Sequence, residues 1–159
     1  MASLEVNIIE KLVLNGVQQG GNYKSTITGI NDVYRRLISI PATSSATLAS
    51  FKSTVSTGSI AAMDNDKVKY VRITNMNSTD GPLYDINLGI QLESGNDDSA
   101  ADSQTTIKLE PKQTFMLSST TSSVYFNSSS GISTTLANVE SIIAKSSGSS
   151  QVEIFIASA

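Results

Sequence analysis

The sequence predicts an all-β fold, an antiparallel β-sandwich that is jelly-roll-like and has about nine or ten strands. Three observations support this prediction. Short runs of alternating apolar and polar residues recur along the chain, turn-forming residues separate them at a spacing of roughly 8 to 12 residues, and no window has sustained helical periodicity with capping residues. The length of 159 residues and the hydrophobic content of 39% favour one sandwich domain over 1–159.

The first predicted element is a hairpin. Alternating apolar residues indicate a strand from Leu4 to about Leu14, and Asn15-Gly16 is a pair that suits the positive φ angles of a tight turn. The segment from Tyr23 to Ile30 is a candidate return strand. A β-branched run from Val33 to Ile40 then predicts another strand, which Pro41 ends.

The middle of the chain is less regular. The segment from Thr43 to Asp66 is low in aliphatic residues and is predicted to be a long polar connection, within which Thr47 to Thr54 is the best candidate for a short helix. A strand follows from Val68 to Thr74. Val71 breaks its alternation, which indicates either a β-bulge or a strand that is covered on both faces.

The plainest strand has five large apolar residues at a strict spacing of two, Tyr84, Ile86, Leu88, Ile90 and Leu92. This spacing predicts one buried and one wet face.

The last third of the chain is predicted to form further strands and hairpins. Ile107 to Leu109 and Phe115 to Leu117 flank Pro111, which predicts a tight turn between paired strands. Val124 and Phe126 indicate a short strand. Val139 to Ala144 and Val152 to Ile156 predict a last hairpin with a flexible Ser/Gly bend between them.

A second polar connection runs from Glu93 to Gln104. Its small and acidic side chains cannot pack a core, so it is predicted to be either a tolerated surface loop or a segment that contacts a neighbouring subunit. Its candidate contact residues are Asn96, Asp97, Asp98 and Asp102. These aspartates, or the pair Asp64 and Asp66, could offer carboxylates to calcium, but their spacing matches no known calcium loop. No metal site is predicted.

The chain has no His and no Cys, which closes most routes to catalysis at neutral pH. A carboxylate pair could act without His, but the chain has no Trp to line a sugar cleft. Gly20-Gly21 lies in no phosphate-binding pattern. We therefore predict a protein that is not an enzyme, with no catalytic residues, no cofactor and no small-molecule substrate.

Charge and composition also restrict the partners. The formal net charge is −3, and Arg35-Arg36 is the one adjacent basic pair, whose side chains would leave a strand on opposite faces, so no nucleic acid partner is predicted. No run reaches the roughly 18 apolar residues of a membrane span, and no signal peptide is evident. Tyr70, Tyr84 and Tyr125 could stack on sugars or belong to the core and its rim.

Four segments together resemble the small all-β virion proteins of tailed bacteriophages, those of marine phages in particular. They are the opening strand 2–6 with its turn at 14–16, the segment 68–75, the turn Leu109-x-Pro-x-Gln-Thr-Phe-x-Leu, and the terminal segment 152–158. The likeness covers most of the chain and concerns the kind of these segments and their order.

The resemblance implies a capsid decoration or cement protein that binds the outside of the head shell and stabilises it. Its partners would be the major capsid protein and itself, as a homotrimer, and its location the virion after synthesis in the host cytoplasm. The N-terminal strand, about 1–16, or the loop from Glu93 to Gln104 is expected to reach a capsid neighbour. The alternatives are a neck, tail or fibre protein and a carbohydrate-binding module at a fibre tip.

Overall fold

The computed structural model describes residues 2–52, 62–64, 67–92, 103–118, 126–128, 131–133 and 139–159. Within these ranges the chain consists mainly of strands, with a short 3₁₀ turn at Pro82–Tyr84. The strands are β1 (Ala2–Ile9), β2 (Val13–Leu14), β3 (Val17–Gln18), β4 (Asn22–Ile30), β5 (Asp32–Ile40), β6 (Ser45–Lys52), β7 (Ala62–Asp64), β8 (Val68–Asn75), β9 (Ile86–Leu92), β10 (Ser103–Leu109), β11 (Thr114–Ser118), β12 (Phe126–Ser128), β13 (Gly131–Ser133), β14 (Val139–Ser146) and β15 (Ser150–Ser158).

Two sheets face each other across the core. Sheet 1 has five strands in the order β10-β9-β14-β6-β7, and sheet 2 has four in the order β11-β8-β15-β5. All neighbours in these sheets are antiparallel except β6 and β7. Three two-stranded ribbons, β1–β4, β2–β3 and β12–β13, add to the nine strands of the sheets, so the described segments exceed the predicted nine or ten.

The connections between the sheets have jelly-roll topology. Among the described strands, most consecutive ones cross from one sheet to the other, as from β5 to β6, β8 to β9 and β14 to β15. β9 and β10 form a hairpin within sheet 1, and β7 lies parallel beside β6 in the same sheet. The last two strands insert between earlier ones: β14 lies between β9 and β6, and β15 between β8 and β5. The predicted all-β, jelly-roll-like sandwich is therefore confirmed.

The core lies between the two sheets. From sheet 1, Ile86, Leu88 and Ile90 are fully buried, as their alternation predicts, and from sheet 2 Ile73 and Ile154 pack against them. Each such aliphatic side chain contributes about 1.5–3 kcal/mol when it is removed from water. This dry layer fixes both sheets and hence the positions of their outer faces.

The predicted helix near Thr47 to Thr54 is wrong. Residues 45–52 form β6, which pairs with β14 and buries Leu48 and Phe51 in the core. Packing against β14 prevails over the weak local preference for a helix. The predicted polar connection from Thr43 to Asp66 likewise contains β6 and β7.

Two predicted hairpins have the right turn but the wrong pairing. β10 and β11, on either side of Pro111, belong to different sheets, and so do β14 and β15. In a jelly roll such turns carry the chain across the core, and their strands pair with neighbours that are remote in sequence. The bend before β15 is also fixed: Ser146 and Ser150 are buried with their hydroxyl oxygens 2.8 Å apart, and the Gly148 N–H donates to the Leu83 carbonyl at 2.6 Å.

The broken alternation around Val71 has both of the causes considered. The register of β8 against β15 shifts between Ala157 and Ser158, which is a bulge-type irregularity. Both faces of β8 are also covered, because Val71 packs in the core while Tyr70 lies under a separate apolar cluster on the outer face of sheet 2. That second cluster involves the N-terminal hairpin.

Candidate functional site

Residues 2–30 form a long hairpin that we call the arm. β1 and β4 pair from Ser3 opposite Thr28 to Ile9 opposite Asn22. The hairpin continues with β2 and β3 and closes at Asn15 and Gly16, whose φ angles of 51° and 81° fit a type I′ turn. The predicted hairpin is confirmed. The sequence predicted a contact arm of about residues 1–16, and the structure adds the return strand β4 to it.

The base of the arm packs on the outer face of sheet 2. Ile27 and Ile30 are buried there against Tyr70 and Ala157, and Phe155 is packed against the same cluster. The Tyr70 and Phe155 rings meet edge to face with centroids 6.0 Å apart. Burial under the arm raises the pKa of the Tyr70 hydroxyl. Of the two roles considered for Tyr70, the structure therefore bears out the buried one, because the ring is not exposed for a sugar to stack on.

A β-bulge at Gly29 sets the arm on the sheet. Thr28 pairs with Ser3 and Ile30 pairs with Ala2, so Gly29 is the extra residue, and its φ is 74°. Two hydrogen bonds hold this point: the Asn31 N–H donates to the Ser158 carbonyl at 2.9 Å, and Lys69 Nζ donates to the Thr28 carbonyl at 3.1 Å.

The outer part of the arm, residues 12–23, is the arm tip. Its large apolar side chains are exposed: Leu12, Val13, Leu14, Val17 and Tyr23. The exposed fraction is 65% for Val13 and 62% for Tyr23. No charged residue occurs from 12 to 23. An uncharged apolar ribbon in water is typical of a surface that contacts another protein.

A groove of about 710 Å³ lies between β1 and the outer face of sheet 2. Residues 4–9 of β1 form one wall of the groove. The part of sheet 2 that lines it consists of Arg35, Tyr70, Arg72, Thr114, Met116 and Phe155. Among the described residues, β1 pairs only with β4, so its other edge has no strand beside it.

The charged side chains of sheet 2 beside the groove are paired with one another. The Glu153 carboxylate accepts hydrogen bonds from Arg35, with an Nη2–Oε2 distance of 2.6 Å, and from Arg72. The hydrogen bond from Arg35 is the main cause that lowers the pKa of Glu153, with the two positive charges helping and partial burial opposing. The Arg72 guanidinium also lies 5.6 Å from the centre of the Phe155 ring.

Arg35 and Arg36 point to opposite faces of β5, as predicted. Arg35 reaches Glu153 on the outer face, whereas the Arg36 guanidinium lies 5.3 Å from the centre of the Tyr34 ring on the other face. Arg35 therefore belongs to the groove. Sequence reasoning missed the groove because Arg35, Arg72 and Glu153 come from three strands whose pairing no local pattern reveals.

The outer face of sheet 1 is polar by comparison. Its side chains include Asn87, Gln91, Thr106 and Lys145, and Ser141 donates a hydrogen bond to Gln91. Among the described residues, none of its large apolar side chains is largely exposed. It follows the alternation of a face that stays in water.

The predicted contact residues Asn96, Asp97, Asp98 and Asp102 lie outside the described residues, as does Asp66. Asp64 is ion-paired with Lys67 at 2.7 Å. Within the described ranges, no group of three or more acidic residues, His or Cys is placed to hold a metal ion. None of the helical structure in those ranges is long and apolar enough to cross a membrane.

Comparison with protein-family models, with curated proteins and with solved structures gives no match to this chain. The arm tip and the groove are therefore the features that a functional account must use.

Proposed function

We propose that this chain is a non-enzymatic virion structural protein of a tailed bacteriophage, a capsid decoration or cement protein that binds the outside of the head shell. The observation that carries the proposal is the arm, whose apolar, uncharged tip extends beyond its own sandwich. Such a tip is built to be covered by a neighbour. The resemblance to small all-β phage virion proteins supplies the setting.

The physical chemistry of the chain supports a role in assembly. A two-stranded hairpin is marginally stable alone, and this one packs on its own sandwich at its base, through Ile27, Ile30 and Tyr70. A partner that covers the tip would bury apolar surface and order the ribbon. In a symmetric shell, many weak contacts of this kind add up to strong attachment. The partners proposed are the major capsid protein and further copies of the chain, as a homotrimer.

The test is binding to empty heads of the phage that encodes the chain. Purified protein is added in increasing amounts, heads are separated by sedimentation, and the bound copies per head are counted and located by electron cryo-microscopy. Saturation at a fixed number, at local threefold positions on the outer surface, is expected. Heads that bind no protein would contradict the proposal.

The alternatives give different outcomes in parallel assays. Binding to isolated tails or necks as a ring, with bare heads, would assign the chain to those parts of the virion. A specific signal on a glycan array without head binding would indicate a carbohydrate-binding module at a fibre tip. Either result would replace the decoration role.

A further inference from the structure

We propose that the arm tip of one copy docks in the groove of a second copy of this chain. The inference rests on the proposed structural role and names the partner of the arm: the copies are linked head to tail, tip to groove.

The tip is stabilised when its apolar side chains are covered. Val13, Leu14 and Val17 are 65%, 57% and 56% exposed around the turn of the hairpin. Moving one such side chain fully out of water is worth about 1.5–3 kcal/mol, so even partial burial of three of them outweighs the weak stability of a free ribbon.

The tip cannot reach the groove of its own chain. The groove lies beside residues 4–9, at the inner half of the arm. Val13 is seven residues beyond Val6 along the same paired ribbon, which is about 20 Å at the rise of a β-strand. The hydrogen bonds from Glu10 N–H to the Gly21 carbonyl and from Gln19 N–H to the Leu12 carbonyl keep the ribbon extended.

The groove is suited to bind a neutral, apolar strand. Phe155 and Met116 supply apolar surface, and Glu153 is already paired with Arg35 and Arg72. A chain without charges can therefore cover this surface without leaving a buried charge unpaired. The unpaired edge of β1 offers backbone groups to an added strand, and β2 or β3 of a second copy provides one.

The contact between two copies is heterologous, because the tip and the groove are different surfaces. Contacts of this kind close into a ring when the rotation between copies allows it and otherwise propagate as a fibre. A ring of three copies would make the homotrimer of the proposed function and leave no exposed tip.

The chain has no cysteine, which makes cross-linking a clean test. Two single-cysteine variants, Leu14→Cys in the tip and Met116→Cys in the groove, are purified separately, mixed and oxidised gently. A disulfide needs Cα atoms within about 4.4–6.8 Å, so it reports direct approach. The expected product is a covalent heterodimer in the mixture. Val17→Cys serves as a second tip variant in case the first has an unsuitable angle.

The matched control is Thr106→Cys, which is exposed on the outer face of sheet 1. It should give no heterodimer with Leu14→Cys above the level of random collision. Equal yields for the groove and the control, with both tip variants, would overturn the proposal.

A mass measurement completes the test without cysteines. Light scattering should give a multiple of the 16.8 kDa chain for the natural sequence. Val13→Asp, which places a charge on the tip, should reduce it to the single-chain mass, while Thr106→Asp should not. A monomeric natural protein would overturn the proposal.

Failure of this inference differs from failure of the proposed function. If the chain saturates heads but shows no tip-to-groove cross-link, the arm contacts the shell and only the inference fails. If the cross-link forms but heads bind nothing, the inference stands and the decoration role fails.

Discussion

The two outer faces of the sandwich differ in what covers them. The outer face of sheet 1 shows polar side chains such as Thr106 and Gln91 to solvent. The outer face of sheet 2 carries the base of the arm over Tyr70 and, beside it, a groove with Phe155 and paired charges. All of the exposed large apolar side chains among the described residues, except Met76 and Leu83, lie on the arm or on this second face.

The difference teaches how to distinguish a face meant for water from one meant for protein. Both faces belong to sheets with the same dry core, so burial in the core does not explain the contrast. What distinguishes sheet 2 is a second layer of apolar contacts outside the core, provided by a segment that continues beyond the sandwich. A face with such a second layer is where partners are expected.

The largest effect that sharpens the comparison should come from Ile27→Ala. Ile27 is 1% exposed between the arm and sheet 2, so its truncation should lower the free energy of arm opening by about 2–4 kcal/mol. Amide hydrogen exchange of β1 and β4 measures this opening. Ile143→Ala, at a half-buried site on the outer face of sheet 1, is the matched control and should cost about 1 kcal/mol. Equal costs at the two sites would remove the contrast between the faces.

A smaller effect is expected from Gly29→Ala at the bulge of the arm. The φ of 74° strains an L-residue, and the new Cβ would approach Lys69 Nζ to 3.1 Å, so about 1–2 kcal/mol of arm stability should be lost. Gly29→Asn should lose less, because Asn tolerates positive φ. Urea unfolding, monitored by amide hydrogen exchange, compares the arm stability of the two variants. If Asn costs as much as Ala, the strain argument is wrong.

Glu153→Gln should cost about 1–2 kcal/mol at pH 7, because it weakens two charge-assisted hydrogen bonds, one of them to the largely exposed Arg35. The comparison is Asp85→Asn at the end of sheet 1, where one exposed lysine, Lys108, lies 2.9 Å away. That change should cost less than about 1 kcal/mol. Chemical unfolding measures both, and a larger cost at Asp85 would contradict the importance given to the groove charges.

The pH dependence follows from the same carboxylate and gives the smallest effect. The pKa of Glu153 in the folded protein is lowered from 4.5 chiefly by Arg35, so the unfolded chain binds a proton first as pH falls. The stabilisation by Glu153 is fully present above about pH 5 and is lost as pH falls through the lowered folded pKa. The difference in unfolding free energy between the natural protein and Glu153→Gln, measured at pH 6, 4 and 3, should shrink as the pH falls. A difference that grows on acidification would contradict this prediction.

Periodicity was enough to predict the sandwich and the arm hairpin. Strict alternation identified Ile86, Leu88 and Ile90 as core residues of β9, and Asn15-Gly16 identified the turn. The same alternation was wrong at Tyr84, which lies in the 3₁₀ turn before the strand, and Leu92 is half-buried. Pairing was not predictable at the turns near Pro111 and Gly148, because a tight turn within a hairpin and a turn that crosses the core use the same residue types. The helix near Thr47 failed for a related reason, since the alternation of β6 is weak and its pairing with β14 decides its structure.

The groove was not predictable from local patterns. Its residues are spread over β1, β5, β8, β11 and β15, and only the strand order brings them together. A single signal was visible in the sequence: Tyr70 and Val71 are both apolar in one strand, which indicated a bulge or two covered faces. The residues that cover Tyr70 could be identified only from the folded arm.

The measurement that tests the central claim most directly is amide hydrogen exchange of the natural protein at low and high concentration. If the sheet 2 face and the arm are the contact surface, residues 12–23 and β1 should become protected as copies associate, while the outer strands of sheet 1 exchange at the same rates throughout. Protection that appears on sheet 1, with the arm tip unchanged, would contradict the account.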